Sequence, residues 1–181
     1  MKFLKLLIIL VFLVGCQKAV KKDENKTSVG ENRVSFTAVG DNLMHEKLLD
    51  EAKQGNGYDF MPYYQNIKPY IQKADLSFVN QETILGGNQL GASGYPNFNT
   101  PDIMANNLNE VGFDIVNGAT NHTLDKGYSA VQHSIEEFKK YSQMEYIGLY
   151  ESQEDRDNVQ VVAKNGLRIA LLSYNQLSNN K

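Results

Sequence analysis

Three β-prone runs in this chain each end at a polar cluster and then give way to a helical pattern, which places the fold in the α/β class. Val34-Ser35-Phe36-Thr37-Ala38-Val39 alternates and is β-branched, and it stops at Gly40-Asp41-Asn42. Asp75-Leu76-Ser77-Phe78-Val79 stops at Asn80-Gln81-Glu82. Phe113-Asp114-Ile115-Val116 stops at Asn117 and opens into Gly118-Ala119-Thr120-Asn121-His122-Thr123-Leu124-Asp125-Lys126-Gly127. That last loop carries an amide, an imidazole and a carboxylate within five residues, Asn121 to Asp125. Strand-end loops that open into helices are where α/β proteins place their chemistry, so the three ends read as parts of one site.

The connections follow helical rules. Leu43 to Ala52 forms a helix stopped by Gly55-Asn56-Gly57, and Phe60 to Lys73 carries an aromatic stripe at helical spacing, a core face. Pro62 suits the first turn of that helix, and Pro69 ends it early. Thr100-Pro101-Asp102 starts the next helix, with Thr100 as N-cap and Pro101 in first position, and it runs to Gly112. Tyr128 to Met144 is helical with Val131, Ile135 and Phe138 on one face and His133 on the surface. Tyr146-Ile147 starts a short strand. Val159 to Leu172 is a hairpin turning at Asn165-Gly166, the type I′ signature. The loop from Gly86 to Asn99 reads either as a substrate flap or as a surface excursion.

The chain start constrains location. Met1-Lys2-Phe3-Leu4-Lys5 is basic, Leu6 to Val14 is an unbroken apolar run, and Leu13-Val14-Gly15-Cys16 follows. This is similar to a bacterial lipoprotein signal, in which the cysteine is lipidated and the chain is cut before it. The run is shorter than the roughly 20 residues of a membrane span. An uncleaved anchor, or a secretory signal cut elsewhere, is the alternative. The boundaries expected are a signal peptide over 1–15, lipidated Cys16 with a solvated tether over 16–32, and one domain over 33–181. Lipidation places the domain on the extracytoplasmic face of the cell membrane, with Cys16 unavailable for a disulfide. With 18 basic against 21 acidic residues, and no basic patch among aromatics, nucleic acid is excluded as a partner.

Asp41, Glu82, Asn121 and His122 supply carboxylate, amide and imidazole donors, the set that divalent metals such as Mn, Zn or Fe take. In that scheme Asp41 and Glu82 hold metal, Asn121 holds metal or a substrate oxygen, and His122 holds metal or protonates a leaving group. Asp125 orients His122 through its other ring nitrogen. His45, one helical turn past Asp41, reads equally as a ligand or a bystander. Each residue also has a plain structural role: Asp41 as a helix cap, Asn121 as a turn residue, Asp125 as an N-cap, Glu82 as a surface carboxylate.

Taken together, these stretches resemble the CapA-type capsule, or poly-γ-glutamate, biosynthesis family. The matching segments are Phe36-Thr37-Ala38-Val39-Gly40-Asp41, Ala74-Asp75-Leu76-Ser77-Phe78-Val79-Asn80-Gln81-Glu82-Thr83, and Gly112 to Asn117 running into Asn121-His122-Thr123-Leu124-Asp125-Lys126-Gly127. Arg168 to Tyr174 fits the next family strand. The resemblance implies a metallophosphatase-like α/β sandwich, related to calcineurin-like phosphoesterases. It implies anchorage at the outer face of the membrane and a role in making or exporting the polymer. Capsule-complex membrane subunits and an anionic polymer are the partners it suggests. By the same resemblance Asp41, Asn80, Glu82, Asn121 and His122 fall on motif positions. His122 and Asp125 are then the catalytic pair, with Asn80 and His45 at the substrate.

Two departures stand out: Gln81 where the family commonly has Leu, and Thr120 where it commonly has Asn. Family chains also continue further and supply more histidines, so this chain is expected to be an incomplete N-terminal portion of the sandwich with an unpaired sheet edge. A metal-dependent hydrolase and a non-catalytic polymer-binding or scaffold subunit are the two readings that follow. An extracytoplasmic solute-binding lipoprotein shares the tether but leaves the polar strand ends unexplained.

Overall fold

The computed structural model describes residues 32–179, so the expected signal peptide over 1–15, Cys16 and almost all of the expected tether lie outside the described residues. From the N-terminal side, β1 (Phe36–Asp41) leads through His45 into α1 (Glu46–Ala52). A two-residue-stranded hairpin follows, β2 (Lys53–Gln54) and β3 (Gly57–Tyr58), where the sequence signalled only a helix stop. The single helix expected over 60–73 is instead two short ones, α2 (Met61–Tyr64) and α3 (Lys68–Ile71). Pro69 is the cause: it has no N–H to bond back into α2 and sits in the first turn of α3, where none is needed.

Strand β4 (Leu76–Asn80) is followed by a 3₁₀ turn at Asn88–Leu90 and by α4 (Ile103–Val111). The expected cap is displaced. Asp102, not Thr100, occupies the N-cap, and the Thr100 hydroxyl instead pairs with that of Thr83 at 2.5 Å inside the core. Gly112 closes α4 with φ 101°, a left-handed stop that suits glycine. Then come β5 (Ile115–Asn117), α5 (Tyr128–Lys139), β6 (Glu145–Ile147), and a short α6 (Gln153–Asp157) that the sequence reading omitted. Ser152 caps α6 by accepting from Asp155 N, a local signal that was available in Ser152-Gln153-Glu154-Asp155. The hairpin β7 (Gln160–Lys164) and β8 (Leu167–Leu171) turns at Asn165 and Gly166, both at positive φ, as a type I′ turn requires.

Strands β1, β4, β5 and β6 form one parallel sheet in the order β1-β4-β5-β6, and β7–β8 forms a separate two-stranded sheet. This is an α/β fold with a parallel central sheet, consistent with a metallophosphatase-like sandwich. Its edges are β1 and β6. Val39, Val79, Val116 and Tyr146 stand opposite one another across the strands. They meet a core built of Phe60, Met104, Leu108, Val111 and Phe138. Phe60 is fully buried and Leu108 likewise, each worth roughly 1.5–3 kcal/mol over exposure. The aromatic stripe is only partly core: Tyr64 is buried, whereas Tyr70 is 72% exposed. Among the described residues, no helix is long and apolar enough to cross a membrane.

Candidate metal and catalytic site

The carboxyl ends of the strands carry a polar row. Asp41, Asn80 and Asn117 are register partners across β1, β4 and β5. Asn80 Nδ2 donates to Asp41 Oδ1 at 2.6 Å, and Asn117 Nδ2 donates to Asn80 Oδ1 at 2.6 Å. A register shift between Val39 and Asp41 makes this alignment possible: Gly40 is bulged out, and in an unshifted ladder it would face Asn80 and leave Asp41 past the end of the row. Asn80 therefore orients Asp41 here. Asn117, its next neighbour, is a site residue that the sequence reading passed over.

Glu82 follows β4 and is held by its backbone from both sides. Its N–H donates to Asn42 O at 3.3 Å, and its carbonyl accepts the Thr120 hydroxyl at 2.6 Å. The same Thr120 oxygen accepts from His122 N at 3.1 Å, so one hydroxyl links the backbones of Glu82 and His122. Thr120, the family departure, thus ties the loop to the strand end. Gln81, the other departure, is 1% exposed; its Oε1 accepts from Asn42 Nδ2 at 2.6 Å and its Nε2 donates to Thr83 O at 2.7 Å. Asn42 in turn accepts from Tyr64 Oη at 2.6 Å, and burial pushes that phenol well above its ordinary range. A buried polar residue fully satisfied in this way is tolerated.

His122 is buried, and its Nδ1 lies 2.7 Å from Asp125 Oδ2. Asp125 is buried too, and Phe98 N also donates to Oδ2, at 2.8 Å. An ionised Asp125 keeps the proton on Nδ1, leaving Nε2 as the free lone pair. That nitrogen faces Glu82 Oε1 at 3.8 Å. Burial, and next the neighbouring Asp41 charge, raise the Glu82 carboxyl above its ordinary value, and positive charge on the His122 ring would oppose this. Asn179 lies against the same ring, its Nδ2 3.1 Å from His122 Nδ1 and 3.4 Å from Nε2, and its N–H is bonded to Asn121 O at 2.9 Å.

Phe98 is the second residue missed in the sequence. It is 1% exposed, and its ring meets His122 edge-on at 4.6 Å between centroids and His45 edge-on at 5.2 Å. The Gly86–Asn99 loop is therefore more than a surface excursion. Asn99 pins it by accepting from Gly86 N and donating to the carbonyls of Gly87 and Gly91. His45, the N-cap of α1, is exposed at the rim. Asn121 is exposed and turns its amide toward Asn179 at 3.4 Å rather than into the row.

The donors fit a divalent cation. Two ligands of one ion with bonds of about 2.1 Å stand about 3.4 Å apart in tetrahedral geometry, near the 3.8 Å from His122 Nε2 to Glu82 Oε1. Asp125 behind the ring is the carboxylate–histidine pairing that metal-bound imidazoles favour, and its buried Oδ1 has no hydrogen-bond partner. Asp41, Glu82 and His122 do not bring their ligand atoms all within 4.8 Å of one another, so binding would draw a carboxylate inward.

Residues 35–181 match the family described as Bacterial capsule synthesis protein PGA_cap. The chain is also similar to the capsule biosynthesis protein CapA of Bacillus anthracis, 26% identical over 159 residues, which is 86% of this chain and 36% of that relative. It thus spans about a third of the length of the curated relative it matches.

Proposed function

Because the chain belongs to the PGA_cap family of bacterial capsule synthesis proteins, we propose that it works at the cell surface in making or exporting capsule polymer, with metal-dependent phosphoester hydrolysis at the strand ends. The observation that carries this reading is the His122–Asp125 pair, which aims one imidazole nitrogen at Glu82. A divalent ion held by Asp41, Glu82 and His122 would supply Lewis acidity and a hydroxide near neutral pH. The chain's own residues do the rest. Asn80 and Asn117 hold Asp41 in line. Phe98 keeps water from one face of the His122 ring, and His45 at the rim can move a proton to a departing oxygen. Lipid on Cys16 anchors the domain to the extracytoplasmic leaflet, where an anionic polymer and capsule-complex membrane subunits are its partners.

A second reading, a non-catalytic scaffold, is favoured by one feature: the Asn179 amide already lies against both His122 ring nitrogens. The two separate in a single experiment. Cells carrying Glu82→Ala or Cys16→Ala are scored for surface polymer, and the purified proteins for Mn²⁺-dependent hydrolysis of bis-p-nitrophenyl phosphate. The hydrolase reading expects Glu82→Ala to abolish both. Normal polymer from Glu82→Ala cells, with no hydrolysis by the parent protein, overturns it in favour of the scaffold.

A further inference from the structure

Helix α5 carries a second set of donors. His133 and Glu137 are one turn apart, at i and i+4, and so share one face of the helix. Asp102 at the N-cap of α4 meets them there, with His133 Nε2 3.1 Å from Asp102 Oδ1. Asp102, His133 and Glu137 each offer a ligand atom, and these atoms all lie within 4.8 Å of one another. Among the described residues this is the group of three carboxylate or imidazole side chains that converges so closely.

From this geometry we infer that Asp102, His133 and Glu137 form a structural site for a divalent transition-metal cation, Zn²⁺ foremost. The donor chemistry is right: one imidazole and two carboxylates suit a borderline ion that accepts nitrogen and oxygen together. Ligands about 2.0–2.2 Å from one tetrahedral ion stand about 3.3–3.6 Å apart, so atoms that already lie within 4.8 Å of one another need side-chain adjustments of only about an ångström. The pocket is half closed. Side-chain exposure is 17% at Asp102, 30% at His133 and 9% at Glu137, which leaves an opening for entry and for waters to complete the coordination. Lys140 holds the Glu137 carboxylate at present, and its pKa is raised by that bond. Its own side chain is 62% exposed and sits at the C-cap of α5, so it can swing into solvent when a cation arrives. Two carboxylates against one ammonium leave net negative charge for a dication to neutralise.

The consequence is mechanical. Asp102 also exchanges hydrogen bonds with Asn88: Asn88 N donates to Asp102 Oδ2 at 3.3 Å, and Asp102 N donates to Asn88 Oδ1 at 3.1 Å. A cation on Asp102 therefore joins α4, α5 and the 3₁₀ turn within the Gly86–Asn99 loop that carries Phe98. It braces, from a distance, the segment that packs on His122.

The test is a calorimetric Zn²⁺ titration of the full chain. In a Glu82→Ala/His122→Ala background one binding event is expected to persist, and adding His133→Ala or Glu137→Gln should weaken it at least tenfold. Lys140→Ala keeps all three ligands and removes their competitor, so it should tighten the event at least threefold. Absence of Zn²⁺ binding in the Glu82→Ala/His122→Ala background, or binding unmoved by His133→Ala, overturns the inference while leaving the strand-end site untouched. Should His133→Ala fail to fold by circular dichroism, an unchanged affinity in Lys140→Ala overturns it instead.

Discussion

His122 Nδ1 lies 2.7 Å from Asp125 Oδ2, and the Asp125 side chain has no exposed surface. A carboxylate so enclosed dictates the imidazole tautomer, and the tautomer decides which nitrogen looks toward Glu82. Everything proposed for the strand ends depends on that choice.

Asp125→Asn isolates this effect. An amide oxygen in the place of Oδ2 still accepts from His122 and Phe98, and the amide nitrogen takes the place of the unpartnered Oδ1. The fold should survive, while Mn²⁺ or Zn²⁺ affinity at the strand ends falls about 10–100-fold, the usual effect of losing such a partner. Metal titration beside a thermal melt checks this; unchanged affinity would show that the carboxylate charge is not used.

Phe98→Ala should destabilise the protein by about 3–5 kcal/mol, as expected for emptying a buried aromatic site. Phe98→Leu should restore most of that stability while still losing the edge-on contacts to His45 and His122. Denaturant unfolding measures the first effect. The His122 ring resonances report the second, and would be unshifted in Phe98→Leu if the contacts did not position the ring.

Acid stability should depend on Asp75. Its Oδ2 accepts from Ser35 N at 2.8 Å and Ser35 Oγ at 2.7 Å, and its Oδ1 accepts from Asn165 Nδ2 at 3.0 Å. These bonds, the Ser35 hydroxyl's foremost, hold the carboxyl at about 2 against an ordinary 3.8. The folded value is the lower one, so the unfolded chain takes up the proton first. The contribution is complete above about pH 4 and is lost as pH falls toward 2. Melting temperatures of Asp75→Asn between these limits should decline less with acid than those of the parent. Equal declines would contradict the assignment.

Gly166→Ala should cost about 1–2 kcal/mol, because Gly166 sits at φ 78° in the left-handed region. The effect should be visible as a lowered unfolding midpoint. Its absence would mean that the β7–β8 turn relaxes freely.

The strands were legible because a buried parallel sheet leaves β-branched runs that stop at polar residues, as at Val39-Gly40-Asp41 and Val79-Asn80. The polar row was legible only in part. Asp41 and Asn80 stood out as chemistry-bearing types, but their alignment with Asn117 depends on the one-residue shift at Gly40, which no periodicity announces. Phe98 was hidden for a similar reason: in a run of glycine, asparagine and serine nothing distinguishes it, as the buried ring, from the exposed Tyr95 three residues earlier. His133 was expected on the surface because its own helix shows only Glu136 and Glu137 beside it. Its partner Asp102 lies 31 residues earlier, and only the fold brings the two together. Pro69 did announce the break in the second helical segment, since its missing N–H is a local property.

The most direct test is paramagnetic broadening in protein labelled with ¹⁵N at its three histidines, His45, His122 and His133, during addition of substoichiometric Mn²⁺. The account predicts that the His122 ring signals broaden first among the strand-end residues and stay sharp in Glu82→Ala. His122 signals that remain sharp in the folded parent protein would contradict a metal site at these strand ends.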